Sequence, residues 1–460
     1  MTRRHTAALA ALLLGALSRP AGAQLAANVT PAGDDGAISR LAFTLDSIAR
    51  RAMYDQSIPG LSVAIVKDGH VVLERGWGMV ERGRHQATAS TPYQIASVSK
   101  QFTASAILRL AERGQLSLDD DVTRYVEGLP ARYRTISLRQ LLNHTAGVPN
   151  FTEWFREFRQ VLTPAQLVDS LAARPLLFTP GTGFHYSNSG YYLLGLVIER
   201  VTGQSYDGYL REQFWGPLGM NDTEYCGDSR TRPVPAGYVR TRRGEPVQTA
   251  PWDPSVLYAA GSLCSTAADL AKWEVALGEG RVLSTESYTE MTTPGAAPDA
   301  SMRMAYGYGM MVDTTDAGPY LHHDGAVAGF RSQVAWYPEE HLAVVVLMNQ
   351  GLAAPEPIER DFTRAVLGVT ARPAPRRART WPAAAPSPRP SRLSPDRGDG
   401  GRIATASPRV GEAFSLIRFP DRGTSPIPAD EPRAVCAASC GCRPRLQPPR
   451  LVATTNATLA

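Results

Sequence analysis

The sequence predicts an α+β fold: one antiparallel sheet built from the N- and C-terminal segments of the folded region, flanked by helices, with a mostly helical region inserted between. Three observations carry this. Apolar, strand-like runs cluster at residues 61–73 and again at 329–348. The stretch between them, to about residue 300, reads as helix and loop. Each strand cluster is bordered by a helical pattern, at 38–54 and at 358–367. A single antiparallel sheet is the economical way to bury both clusters together.

In chain order, the first two dozen residues read as a targeting segment. Arg3 and Arg4 give a positive start, residues 7–17 an apolar run, and Ala21-Gly22-Ala23 a small-residue cleavage site before Gln24. The run falls well short of the roughly 20 residues that span a bilayer. A signal peptide over 1–23 is therefore expected, and a periplasmic or secreted protein with no stable membrane insertion. A helix follows at 38–54. Strands at 61–66 and 71–73 are joined by Lys67-Asp68-Gly69-His70, a hairpin signal. The pattern from 97 to about 113 is helical, with Phe102, Ala106 and Leu110 on one face and Gly114 placed to stop it. Further helices are expected at 138–142, 164–173, 190–201 and 266–277. Strands return at 329–337 and 342–348, bounded by Pro338 and Asn349, and a last helix is expected at 358–367.

One domain over 24–370 accounts for these elements. Residues 371–460 hold 15 Arg, no Lys, 15 Pro and six acidic residues, without sustained periodicity. They are expected to form no core, as a disordered tail or a shifted-frame product of a GC-rich gene. The tail dominates the formal charge of +5; residues 24–370 carry −7, which gives no reason to expect nucleic acid as a partner. Of five cysteines, only Cys226 and Cys264 lie in the folded part. An exported protein permits a bridge between them, and sequence alone leaves it open.

The chemistry starts at Ser97-Val98-Ser99-Lys100. Three residues on a helix is nearly one turn, so hydroxyl and amine share a face, beside the positive potential of a helix start. A serine needs a neighbouring base to become a nucleophile, and a lysine serves only when its pKa falls from about 10.4. Of 48 basic residues, only Lys67, Lys100 and Lys272 are lysines. Arginine cannot give up its proton, so a lysine at this place points to proton transfer. Tyr186-Ser187-Asn188 offers a phenol that can relay a proton and an amide that can hold both a lysine and a substrate carbonyl. His323-Asp324-Gly325 leads into the strand at 329–337; on a strand beside a nucleophile one side chain faces the cleft and a glycine lets substrate approach the backbone. His322 and His323, adjacent on a strand, face opposite ways and cannot ligate one ion; no His-Glu-x-x-His is present, and no metal or cofactor is expected.

In this order, Ser-x-x-Lys, Tyr-x-Asn and a His-x-Gly strand resemble the serine β-lactamase and penicillin-recognising hydrolase superfamily, and most of all its class C-related peptidases and esterases. Residues 141–149 (Leu-Leu-Asn-His-Thr-Ala-Gly-Val-Pro), 217–220 (Pro-Leu-Gly-Met), 261–263 (Gly-Ser-Leu) and 306–309 (Tyr-Gly-Tyr-Gly) add to the resemblance, which covers about 38–368. It implies Ser97 as nucleophile, Lys100 and Tyr186 as base and proton relay, and Asn188 as a positioning group. It also implies His323, Gly325 and Ala326 along the substrate, with the N–H groups of Ser97 and Ala326 as oxyanion hole. The substrate would be a small molecule or peptide carrying an amide or ester bond. A slowly acylating sensor on the same fold is the alternative; the Gly-x-Ser-x-Gly elbow of an α/β-hydrolase is absent. Relatives often carry Lys-Thr-Gly at 323–325 and Gly at His322. A histidine of ordinary pKa at 323 predicts weaker recognition of carboxylate-bearing β-lactams, recovering as it charges below about pH 6.5. Oligomeric state is not set by the sequence.

The leader generates one expected outcome: N-terminal sequencing of the exported protein reads from Gln24, and a mature chain still starting at Met1 contradicts it.

Overall fold

The structure is a computed structural model that describes residues 35–81, 84–227, 233–241, 243–295 and 305–369. The expected leader at 1–23 and tail at 371–460 lie outside the described residues. Helix α1 (Asp35–Gln56) leads into β1 (Gly60–Lys67), β2 (His70–Glu81) and the two-residue β3 (His85–Gln86). The inserted region holds the longer helices α2 (Ser99–Glu112), α3 (Asn188–Thr202) and α4 (Ala267–Gly278). Strands β4 (Ala305–Tyr306), β5 (Met311–Thr315), β6 (Gly318–Val327), β7 (Phe330–Tyr337) and β8 (Leu342–Met348) follow, then α5 (Pro355–Leu367).

These strands form one antiparallel sheet in the order β3-β2-β1-β8-β7-β6-β5-β4. Segments from the two ends of the folded region meet at its centre, where Leu61 of β1 faces Met348 of β8. Strand β8 shows why its sequence is an unbroken apolar run. Leu342, Val344, Val346 and Met348 pack with Leu45 and Ala49 of α1 and Ile358 and Phe362 of α5. The alternate residues Ala343, Val345 and Leu347 enter the core beneath the inserted region. A strand buried on both faces has no polar face to show.

The hairpin between β1 and β2 has Asp68 at φ 51° and Gly69 at φ 75°, the pair of left-handed residues that a two-residue turn of this hand requires. Strand β2 runs further than its three-residue apolar signal. Gly76 admits the Ala87 backbone, 2.2 Å from where a Cβ would stand, and that glycine, with Glu74, Arg75 and Gly78, breaks the alternation. Strands β4 and β5 were not marked by the sequence pattern, and His323-Asp324-Gly325 lies within β6 rather than ahead of β7. Among the described residues no helix is long and apolar enough to cross a membrane.

The core also holds acids. Glu274 of α4 is buried against Gln101 of α2, and burial pushes its carboxyl up to about 8. The unfolded chain ionises this group near its ordinary value of 4.5, so between roughly pH 4.5 and 8 the folded state binds the extra proton and stability falls as pH rises. Glu274→Gln is expected to match wild type in melting temperature near pH 4 and to exceed it by pH 8. A difference that does not grow with pH contradicts a protonated Glu274.

Candidate active site

Ser97 sits in a single 3₁₀ turn, Ala96–Val98, that runs into α2 at Ser99. Ala96 holds φ at 48°, a left-handed backbone that costs a non-glycine residue about 1–2 kcal/mol. Neighbouring elements hold the turn. The Ile95 N–H donates to the Leu263 carbonyl at 3.0 Å, and the Ile95 carbonyl accepts the Ser332 hydroxyl at 2.8 Å. Gln94 pairs with Cys264, which is bridged to Cys226 with a Cα–Cα distance of 5.0 Å, so the disulfide left open by the sequence is made beside the strand leading to Ser97. A Cβ on Gly325 would stand 2.2 Å from both the Ile95 carbonyl and the Ser332 hydroxyl. Glycine at 325 therefore admits the protein's own backbone, which differs from the expected role of opening a path for substrate.

Lys100 is fully buried one turn along from Ser97. Its Nζ lies 3.1 Å from Ser97 Oγ, 2.8 Å from Asn188 Oδ1 and 2.7 Å from the Ala260 carbonyl oxygen. Burial holds its pKa well below 10.5, with the Asp324 charge opposing. Once neutral, the amine has two N–H groups and a lone pair. The two amide-type oxygens can only accept, so they take the N–H groups and the lone pair is left for Ser97.

Asn188, the first residue of α3, has its N–H on Asn150 Oδ1 at 3.2 Å, and its Nδ2 donates to Thr152 Oγ1 at 3.4 Å. Ser187 caps the helix. Tyr186 hydrogen-bonds Ser97, and its ring centre lies 4.8 Å from Lys100 Nζ. Burial raises the phenol above 10, with the Ser97 bond opposing, so it is neutral at physiological pH. The structure thus brings Ser97, Lys100, Tyr186 and Asn188 together.

His323 needs a correction. Its strand does lie beside the site, with its ring 6.3 Å from that of Tyr186. The ring, however, is 1% exposed and engaged at both nitrogens. Nδ1 lies 2.6 Å from the Asp324 carbonyl oxygen, which can only accept, so Nδ1 carries the proton and Nε2 accepts from the Tyr306 hydroxyl at 3.0 Å. Burial, then the nearby Lys100, lower its pKa to about 3. The expected charging near 6.5 does not occur. His322 points the other way, stacked on Tyr320 with centroids 4.0 Å apart. Sequence reasoning missed Ala260, Asn150 and Thr152. Ala260 acts through a carbonyl that every residue carries; only the nearby Gly261-Ser262-Leu263 signature marked that stretch.

A buried lysine under a serine, with a tyrosine and an asparagine from the start of a second helix, defines a serine-hydrolase type of site on a β-lactamase/transpeptidase-like sheet. The family model described as Beta-lactamase matches residues 45–368, and the chain belongs to that family. Protein flp of Staphylococcus aureus (strain MRSA252) is 30% identical over 66% of this chain, and the match spans 62% of that relative's length. Among solved structures, the octameric penicillin-binding protein homologue from Pyrococcus abyssi superposes with a TM-score of 0.64 at 30% identity, covering 70% of this chain and 77% of that one. A D-stereospecific amidohydrolase from Streptomyces sp. gives 0.61 at 27% identity, covering 74% and 100%.

Proposed function

We propose that this chain is an exported serine hydrolase that forms an acyl-enzyme on Ser97 and hydrolyses amide or ester bonds. The observation that carries the reading is the buried Lys100 amine, 3.1 Å from the Ser97 hydroxyl and held by two oxygens that can only accept. Export rests on the leader features of the first 23 residues, and amide substrates are supported by the similar amidohydrolase.

In this reading neutral Lys100 takes the Ser97 proton as Oγ attacks the substrate carbonyl carbon, and the carbonyl π pair moves to oxygen. The N–H groups of Ser97 and Ala326 receive that oxyanion, an assignment favoured by the packing of Gly325 against Ile95 and Ala96. As the intermediate collapses, Tyr186 gives its proton to the leaving nitrogen or oxygen and takes the one held by Lys100. The acyl-enzyme is left with both groups as they began. Water then attacks the ester along the same route, Lys100 taking its proton and the Ser97 oxygen recovering one through Tyr186. Asn188 orients the amine throughout.

Ser97→Ala is expected to abolish covalent labelling by a fluorophosphonate; surviving labelling moves the nucleophile elsewhere. Lys100→Arg keeps a cation that cannot act as base, and acylation should fall by roughly 10²–10⁴-fold, the usual contribution of general-base catalysis. In wild type the acylation rate should rise with pH as Lys100 deprotonates and reach its plateau well below pH 10.5, because burial lowers this pKa. Near-normal acylation by Lys100→Arg gives Lys100 a purely electrostatic role.

The internal bonds of His323 generate a substrate prediction. A neutral ring with both nitrogens engaged offers no charge-assisted bond to a carboxylate, a bond worth roughly 1.5–3 kcal/mol. Short-chain nitrophenyl esters should exceed nitrocefin in kcat/KM. The nitrocefin value should show no rise as pH falls through 6.5, since His323 stays neutral to about pH 3. A rise centred near 6.5 would restore a titrating His323.

A further inference from the structure

His144 has no part in the reaction above, yet it borders the group that moves the proton. It follows the helix Leu138–Leu142, is 2% exposed, and holds φ at 61°. Its ring sits among aromatic side chains, with centroid distances of 4.4 Å to Tyr186, 4.7 Å to Tyr306, 5.1 Å to Tyr191 and 5.9 Å to Phe184. Its Nδ1 accepts the Ser187 backbone N–H at 3.2 Å, and its carbonyl accepts the His185 N–H at 3.0 Å. Tyr186 is thus fastened by its ring and by the residues on both sides of it.

Packing alone does not call for a histidine. A leucine would fill much of the same box, but it offers the Ser187 N–H no acceptor. With Nδ1 accepting, the neutral ring carries its proton on Nε2, and that N–H meets no oxygen or nitrogen partner among the described residues. A buried donor without an acceptor is costly, and it persists where the ring is needed for something else. Burial, with Lys100, His323 and His185 nearby, holds the imidazole neutral, which leaves Nδ1 free to accept.

We propose that His144 is a positioning residue for Tyr186: its imidazole fixes the Ser187 backbone and the Tyr186 ring so that the phenol stays on Ser97. This rests on Tyr186 as the proton relay of the proposed hydrolase.

The test compares wild type, His144→Gly, His144→Asn, Tyr186→Phe and the double variant His144→Gly/Tyr186→Phe. The readouts are the burst rate of acylation by p-nitrophenyl acetate, KM and melting temperature. Glycine removes ring and acceptor while keeping the left-handed backbone unstrained. Asparagine also tolerates that backbone and returns an acceptor near the place of Nδ1. His144→Gly should slow acylation by about 100-fold, the effect of a displacement near 1 Å in a catalytic group, with KM little changed. His144→Asn should recover most of the rate. In the Tyr186→Phe background, His144→Gly should cost nothing further, because both act through one phenol.

Additive losses in the double variant overturn the proposal, as does His144→Asn being as slow as His144→Gly, or a loss that falls on KM instead of rate. Should His144→Gly fail to fold, His144→Asn decides: a rate near wild type supports the acceptor role, and a loss equal to that of Tyr186→Phe overturns it. A wild-type protein with no Ser97-dependent release of nitrophenol overturns the hydrolase reading and this role with it. A normal wild-type burst with additive losses overturns only the role of His144.

Discussion

The arrangement around Ser97 depends on one uncomfortable fact, an amine buried with no carboxylate in contact among the described residues. Water would hold Lys100 as an ammonium. Inside the core the charged form loses its hydration, and three neutral oxygens replace only part of it. The neutral form is therefore favoured, and it is the form with a lone pair to take a proton. In the proposed reaction burial serves less as a contribution to stability than as the means of making a base. Thr103, also buried on α2, is ordinary by contrast: its Oγ1 donates to the Ala259 carbonyl at 2.7 Å, so its hydroxyl is satisfied without any shift in charge.

Holding that amine in place takes segments far apart in the chain. The serine comes from the turn Ala96–Val98, the lysine from α2, the asparagine from the start of α3, and one carbonyl from Ala260 just before the strand Leu263–Ser265. The sheet supplies the remaining wall through β6, which approaches the Ser97 turn closely enough that only glycine fits at 325. Because β1 and β8 pair at the centre of the sheet, the terminal halves are locked together, and the insertion is anchored where it leaves β3 and where it returns as β4. A rigid sheet and a buried helix are suited to hold proton-transfer partners within hydrogen-bond distance.

Much of this was legible in the sequence, for reasons that differ by element. The doubly buried β8 announced itself as an apolar run, and the Asp68-Gly69 turn by residues that tolerate its backbone. The Ser97, Lys100, Tyr186 and Asn188 set was found because proton transfer restricts residue type, and a lysine stands out in a chain that otherwise uses arginine. The far part of β2 was hidden because its glycines and charges break the alternation. The left-handed Ala96 carries no signal, since nothing about alanine marks that backbone. His323 reads as leading into β7 but lies within β6, and its neutrality was not foreseen. That depends on how deeply the fold buries the ring and on how close it brings Lys100, neither of which residue type reveals.

The neutrality of His323 fits the logic of the whole cleft. His144 and His323 are both held uncharged first by burial, and in each case the positive potential of Lys100 acts in the same direction. Charges of one sign this close in a dry site exclude one another. In the proposed reaction the single positive charge that does appear is the ammonium formed on Lys100 when Ser97 attacks, and a fixed cation at 323 would oppose its formation. A neutral imidazole there, bonded inward to Tyr306 and Asp324, leaves room for that transient charge. Passing the proton through Tyr186 to the leaving group then discharges it. The residue that departs from the commoner lysine is thus matched to a base whose pKa is already low, and the departure bears on acylation itself as much as on which substrates carry a carboxylate.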